Sequence, residues 1–450
     1  MSLTEFPLAS RDELLKVYGN SSLQDLPVPS AIIDVAKIKE NCQAMLNAVQ
    51  QLDVSFRAHI KTHKTTEMTK LQVGENCEDV RLVVSTIIEA EHVVPLLLEY
   101  QGRGAKVNVL YAMPLGPSQV TRLASVGRRL GPGAVSVMID HIEQFKSLKE
   151  YHQQAGFPAC VFLKTDCGYH RAGLTPESKE MVGLVQAASD GEKEGFLTLL
   201  GFYSHNSLSY GSSSPDDAMD MLKVEIEVCH QASKHFLADR QVPLVLSVGA
   251  SPTALSLQNI LPANSSTTAS AKLLKESLQL AKTNLELEIH AGVYPTFDIQ
   301  QVAASSRHMD KDPHEAIAVS ILTEVCSLYP SRTEQPEALV SAGGLALARE
   351  PCKDYPGWGV ISPWNMSSEY SIKPEDRIIV NRISQEHGIL AWEKNGPTRP
   401  QLPLEYGQKL RIWPNHACIT LAQFGWYLIV DSTTDTPDKV IDVWVRWRGW

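Results

Sequence analysis

The chain has 450 residues, which predicts more than one domain, and its 43% hydrophobic and 20% charged residues suit a globular core, not a disordered chain. Lys and Arg number 41 against 51 Asp and Glu, a net charge of −10. No nucleic acid partner and no membrane partner is therefore expected, since both would call for a basic face. No run approaches 18 apolar residues, and MSLTEFPLASRDELLKVYGN at the N-terminus has no basic segment followed by an apolar one. The eight cysteines, at positions 42, 77, 160, 167, 229, 326, 352 and 418, are scattered. These features predict a cytoplasmic protein with reduced thiols.

Residues 1–53 hold one strand candidate, SAIIDV (30–35), and one helix candidate, DVAKIKENCQAMLNAVQQL (34–52). From residue 54, runs rich in Val, Ile, Leu, Phe and Tyr recur between turn residues. There are eight: 54–61, 80–86, 106–113, 134–140, 159–166, 197–205, 243–251 and 285–293. Between them, 86–100, 141–154 and 216–236 carry apolar residues at three- and four-residue intervals. The polar stretch 263–272 reads as a surface loop. Strand and helix alternating over 54–300 predict an α/β fold, a (β/α)8 barrel. From 301 to 450 strand patterns dominate, which predicts an all-β C-terminal domain.

Barrel enzymes place their reactive groups at the C-terminal ends of the strands. Those ends carry Lys61, Thr86, Met113, Asp140, Asp166, His205, Ser251 and Gly292. Period-two alternation in the first strand puts Phe56, Ala58 and Ile60 on the helix side and Arg57, His59 and Lys61 on the barrel side. Such a face is either solvated or built for an anion or a reactive amine. A lysine in a low-dielectric site beside other cations gives up its proton more readily, and the neutral amine attacks carbonyls. Lys64 competes for that role but lies past the strand end. In KTDCGYHRAGL (164–174), Arg171 can bind a carboxylate or phosphate, or pair with Asp166 to fix the loop; both readings stay open. VGASPT (248–253) and HAGVY (290–294) are small-residue loops suited to a phosphate, through Ser251, Thr253, Gly292 and Val293. No Walker or GxGxxG motif is present. In PNHACIT (414–420), His416 and Cys418 share a face if the segment is a strand; imidazole plus thiolate is a zinc pair, and a buried Cys beside a satisfied His is the simpler alternative.

Taken together, FRAHIKTHK, KTDCGYHRAG, GFYSH, SVGASPT, LEIHAG, SQEHGIL and PNHACIT resemble, in order, the eukaryotic-type, metal-activated D-serine dehydratases. Their wider relatives are D-threonine aldolases and alanine racemases, and the resemblance runs from about residue 20 to the C-terminus. It implies an alanine-racemase-like barrel followed by a C-terminal all-β domain, binding pyridoxal 5'-phosphate and Zn2+. It implies Lys61 as the Schiff-base lysine and Arg171 at the cofactor's phenolic oxygen. Tyr203 and Tyr210 would flank the cofactor, Ser251, Thr253, Gly292 and Val293 would hold its phosphate, and His290 would sit near the pyridine nitrogen. His416 and Cys418 match the zinc ligands, with water or substrate completing the shell. A homodimer acting on a small D-amino acid is implied, a lyase taking D-serine to pyruvate and ammonia. The chain departs from the family in two places. Ser207 and Leu208 stand where H-x-G-x-S-Y is common, and Val293 stands where H-x-G-N-Y has Asn. Retro-aldol cleavage like that of a D-threonine aldolase, or dehydration of another D-β-hydroxy amino acid, is the alternative.

Overall fold

The computed structural model describes residues 7–236, 242–263, 266–332, 335–394 and 400–450. The chain divides into two units, one of 1–42, 293–303 and 309–448, the other of 43–292, 304–308 and 449–450. The first strand, β1 (Ser30–Asp34), belongs to the former. The next eight build the latter. They are β2 (Ser55–His59), β3 (Asp79–Val84), β4 (Lys106–Pro114), β5 (Val135–Ile139), β6 (Ala159–Lys164), β7 (Leu197–Tyr203), β8 (Val245–Val248) and β9 (Glu286–Ala291).

All eight are parallel and close into a barrel in chain order, β2 joining β9 with Arg57 beside His290. The expected barrel is present, one strand for each apolar run. Strands such as VSVMI of β5 are buried at every position, because a parallel barrel covers both faces of its sheet. Helices pack outside, with local end signals. Thr86 and Glu89 form a reciprocal cap on the helix Ile87–Gly102, and Gly156 and Gly195 end theirs in left-handed conformations. The stretch 263–272 is not all loop. Thr268 accepts a hydrogen bond from the Ala271 N–H and starts a helix, Ala269–Ala281; residues 264 and 265 lie outside the described residues.

The other unit centres on a nine-stranded sheet. Its remaining strands are β10 (Val319–Tyr329), β11 (Glu337–Val340), β12 (Gly359–Ile361), β13 (Ile378–Ile383), β14 (Gly388–Trp392), β15 (Lys409–Pro414), β16 (Trp426–Val430) and β17 (Asp442–Val445). Their order is β11-β14-β13-β12-β15-β10-β1-β16-β17. The N-terminal β1 lies inside this sheet, antiparallel to β10 and parallel to β16. Two segments expected as strand are helical. Gly344–Leu347 turns after Gly343, where any Cβ would meet the Ser384 and Gln385 carbonyls at 2.6 and 2.5 Å. PNHACIT leaves the sheet at Pro414, and Ala417–Leu421 is a short helix whose first N–H donates to the Asp298 carboxylate (2.8 Å). His416 and Cys418 are thus neighbours across a helix start, and not residues on one strand face.

The barrel interior holds a polar layer. Arg57 Nε donates to Glu288 at 2.6 Å and its Nη1 to Asn108 at 2.7 Å. Glu288 also takes hydrogen bonds from Arg81 (3.0 Å) and the Ser247 hydroxyl (2.6 Å). Arg57 and Glu288 are both buried. Removing one member of a buried pair leaves an uncompensated charge. Glu288→Ala should therefore cost about 3–5 kcal/mol in denaturant unfolding. Adding Arg57→Met should recover part of that loss, and no recovery would rule the pair out as the cause.

Candidate active site

The turn after β2 carries Lys61, and the chain then doubles back through Lys64, whose N–H donates to the Ile60 carbonyl (2.9 Å). The strand ends at His59, so alternation does not govern Lys61. The two lysines have different surroundings. Lys64 is buried, 3.0 Å from the Glu89 carboxylate and donating to the Thr86 hydroxyl (3.2 Å). Lys61 is half-buried, with no hydrogen bond or ion pair among the described residues, and it lines a cavity of about 260 Å³ at the barrel mouth.

Arg171, Tyr203, His59, His205 and Lys164 share that wall. Arg171 comes from the turn after β6. There the Asp166 carboxylate accepts from the Gly168 and His170 N–H groups (3.0 and 3.1 Å) and contacts His170 Nδ1 (2.6 Å). Asp166 thus closes its loop with His170, and the Asp166–Arg171 pair considered from sequence does not form. The Arg171 guanidinium is exposed and lies 5.7 Å over the Tyr169 ring. Gly173 has φ +98°, and a Cβ there would meet the Lys164 carbonyl at 2.9 Å, so the loop returns against β6 only with glycine.

Lys164 is fully buried at the end of β6, 5.1 Å from the Tyr203 ring centroid. Burial holds its ammonium below the usual lysine range. Lys164 is not singled out by sequence, because the run 159–166 ends at Asp166, two residues past the end of β6; the polar residue closing an apolar run is the available signal.

Three histidines are held well below their ordinary pKa, each by burial first and by neighbouring cations second. Lys61 acts on His59 and His205, and Lys164 and Arg57 act on His290. Neutral imidazoles carry one proton each, and the hydrogen bonds assign it. His205 Nδ1 donates to the Gly249 carbonyl (2.7 Å), which leaves Nε2 as an acceptor. Ser247 donates to Glu288, so its oxygen accepts from His290 Nδ1 (3.1 Å). His290 Nε2 is buried without a well-aligned partner. The His290 ring stacks on Tyr203, centroids 4.1 Å apart and 10° from parallel, and is not itself in the cavity wall. The mouth is therefore positive through Lys61, Lys164 and Arg171, with no charge from its histidines.

The turns after β8 and β9 meet where Gly292 N–H points to the Ser251 hydroxyl at 3.4 Å. Thr253 turns its hydroxyl inward, donating to Glu225 (2.9 Å) and accepting from the Ala250 N–H (2.8 Å). Tyr210 is half-buried in the turn Ser207–Gly211 and not in the cavity wall. Val293 is buried and, like His416 and Cys418, belongs to the sheet unit.

In that unit His416 is hydrogen-bonded to the Cys418 thiol. Its Nδ1 is buried without a hydrogen bond, and the Glu350 carboxylate lies 3.7 Å from it. Burial acts to lower the His416 pKa, but Cys418, Asp298 and Glu350 outweigh it and push the group up to about 9. The pair thus sits in a negative field. Among the described residues no cluster of three or more His, Cys, Asp and Glu forms a metal site. An imidazole hydrogen-bonded to a thiol nonetheless fits the soft half of a zinc shell, once the metal displaces the thiol proton.

Comparison with known proteins agrees with this layout. The alanine racemase N-terminal domain family matches residues 33–266, and the serine dehydratase domain family matches 318–430. A D-serine dehydratase of Schizosaccharomyces pombe is 36% identical over 98% of this chain and 96% of its own. The chain belongs to the D-serine dehydratase family. A second such relative, from Saccharomyces cerevisiae, is 34% identical over 97% of this chain and 100% of its own. Among solved structures, D-threo-3-hydroxyaspartate dehydratase from Delftia sp. HT23 has a TM-score of 0.73 at 24% identity, covering 96% of this chain and 100% of that one. D-threonine aldolase from Filomicrobium marinum reaches 0.67 at 20% identity, covering 95% and 97%. These likenesses place the fold with the alanine racemases. No helix among the described residues is long and apolar enough to cross a membrane.

Glu225 gives a pH signature. It is wholly buried, and burial pushes its carboxyl from the ordinary 4.5 up to about 8. Between those values the unfolded chain releases a proton that the folded chain keeps. Its contribution to stability is full below about 4.5 and is lost as pH rises to about 8. Glu225→Gln cannot ionise. The difference in melting temperature, wild type minus E225Q, should fall steadily from pH 5 to pH 8; a flat difference would place the carboxyl in its ordinary range.

Proposed function

We propose that this chain is a lyase that converts D-serine to pyruvate and ammonia, with pyridoxal 5'-phosphate in the barrel mouth and zinc on His416 and Cys418. The observation that carries the reading is Lys61, an amine without a carboxylate partner in a cationic cavity whose other candidate amine, Lys64, is held by Glu89. The cofactor fits the residues present. An anionic phosphate and phenolate suit the positive mouth lined by Lys61, Lys164 and Arg171.

Pyridoxal phosphate supplies an electron sink for the pair left when the Cα–H bond breaks. Lys61 is the residue that would carry it, and its Nζ would take the α-proton. Arg171 would donate to the phenolic oxygen, and Tyr203 and Tyr210 would flank the ring. Ser251, Thr253, Gly292 and Val293 would receive the phosphate, Thr253 through its backbone, since its hydroxyl is bonded to Glu225. His290, neutral and with its proton on Nδ1, would offer the pyridine nitrogen no proton. Hydroxide is a poor leaving group, and zinc supplies a Lewis acid for it. Cys418 and His416 would hold that ion. The fit rests on the bond between them, the bare His416 Nδ1 and the surrounding negative field.

A homodimer belongs to the same reading. Met113, at the end of β4, and Ile142, Tyr169 and Leu208, in the segments that follow β5, β6 and β7, are large apolar side chains left exposed around the mouth. A second copy would cover them. A cytoplasmic location accords with eight cysteines of which none is in a disulfide.

Pyruvate release from D-serine, but not L-serine, and a visible cofactor band are the expected results with purified protein. Lys61→Ala should remove both, and a variant that keeps both would sink the assignment. Glycine and an aldehyde from a D-β-hydroxy amino acid, with no pyruvate from D-serine, would mean retro-aldol cleavage instead. Cys418→Ala should lower bound zinc by elemental analysis and lose turnover while keeping the cofactor band; full zinc content would remove Cys418 from the shell.

A further inference from the structure

Glu225 is the one acidic residue on the buried stripe of the helix Pro215–Ser233, among Leu222, Ile226 and Cys229. A carboxyl there is costly without partners. It has three, on the segments that follow β7 and β8, with Thr253 in the first turn of the short helix Ser251–Ser256. The Gly249 N–H donates to Oε2 at 2.5 Å, the Thr253 hydroxyl bonds Oε1 at 2.9 Å, and the Asn206 N–H donates to the same carboxyl.

These bonds hold both peptide groups flanking Gly249. The N–H before it goes directly to Glu225. The peptide after it gives its Ala250 N–H to the Thr253 oxygen, itself bonded to Glu225, and takes His205 Nδ1 on its carbonyl. Gly249 needs this fixing. Its φ is +141°, and a Cβ would lie 2.2 Å from the His290 carbonyl. One carboxyl, reaching in from a helix outside the barrel, thus sets the turn that presents Ser251.

We propose that Glu225 is a positioning residue for the anion pocket, holding the Gly249–Thr253 turn in the conformation that receives the phosphate of a phosphorylated aldehyde cofactor. The inference rests on the cofactor reading above. Glu225 touches no ligand; it acts through Gly249, Ala250 and Thr253. In its neutral form Glu225 donates to the Thr253 oxygen, and the Thr253 hydrogen turns to the Ala250 carbonyl at 3.3 Å. Glutamine reproduces that pattern, with its amide N–H2 toward Thr253 and its carbonyl toward Gly249. Leucine fills the space and provides none of it.

The test compares affinity for pyridoxal 5'-phosphate with affinity for pyridoxal, which lacks only the phosphate. Both are titrated into the cofactor-free full chain by fluorescence, with melting temperature followed in parallel. Wild type and Glu225→Gln should show the same preference for the phosphorylated compound within about threefold. Glu225→Leu should lose at least about tenfold of that preference, as should Thr253→Val, the smaller change, which carries the test if Glu225→Leu does not fold. A preference that survives in Glu225→Leu and Thr253→Val, even with both affinities weakened or the melting temperature lowered, overturns the inference alone. A wild-type chain with no preference for the phosphorylated compound overturns the cofactor reading and the inference with it.

Discussion

The Arg57–Glu288 pair inside the barrel sets the conditions for everything above it. Two full charges buried at 2.6 Å are tolerable because Asn108, Arg81 and Ser247 take up their remaining bonding capacity. Each of those residues comes from a different strand, so the pair also fixes the register of the closed sheet. Glu288 directs the Ser247 hydrogen, Ser247 then accepts from His290, and the tautomer of His290 is set in turn. A structural ion pair thereby decides which nitrogen of a histidine near the mouth carries the proton.

A second consequence is electrostatic. Arg57, Lys61 and Lys164 oppose protonation of the three histidines, and burial opposes it more strongly. The histidines become hydrogen-bonding groups of fixed direction in place of titrating charges. The positive potential left at the mouth comes from two lysines and an arginine whose side chains differ in freedom: Lys164 is enclosed, Lys61 half-exposed and Arg171 exposed. A pocket that is cationic without being crowded by imidazolium suits an anionic ring compound and an amino-acid carboxylate together.

The barrel was legible because parallel strands covered on both faces are apolar almost throughout, and eight such runs with amphipathic segments between them have few other meanings. Lys61 and Arg171 were legible as polar residues closing or following those runs. What escaped depended on contacts distant in sequence. Lys164 looked like an interior strand residue until the true end of β6 was known. Glu225 is a polar position in a segment of helical periodicity, and only its bonds to Gly249 and Thr253, more than 20 residues away, explain its burial. His416 and Cys418 do not share a strand face, because Pro414 ends the strand and Asp298, over 100 residues earlier, caps the short helix Ala417–Leu421. Periodicity reports on neighbours along the chain and is silent about such partners.

The place of β1 bears on how the chain is made. Its partners in the sheet, β10 and β16, begin almost 290 and 400 residues later. All of the barrel strands lie between β1 and β10. During synthesis the barrel has every strand it needs long before the sheet does, whereas β1 must wait for β10 on one edge and, until the last tenth of the chain emerges, for β16 on the other. Late, long-range strand pairing of this kind is slow and exposes apolar edges to other chains. The sheet unit, and not the barrel, is where assembly on the ribosome is most easily misdirected.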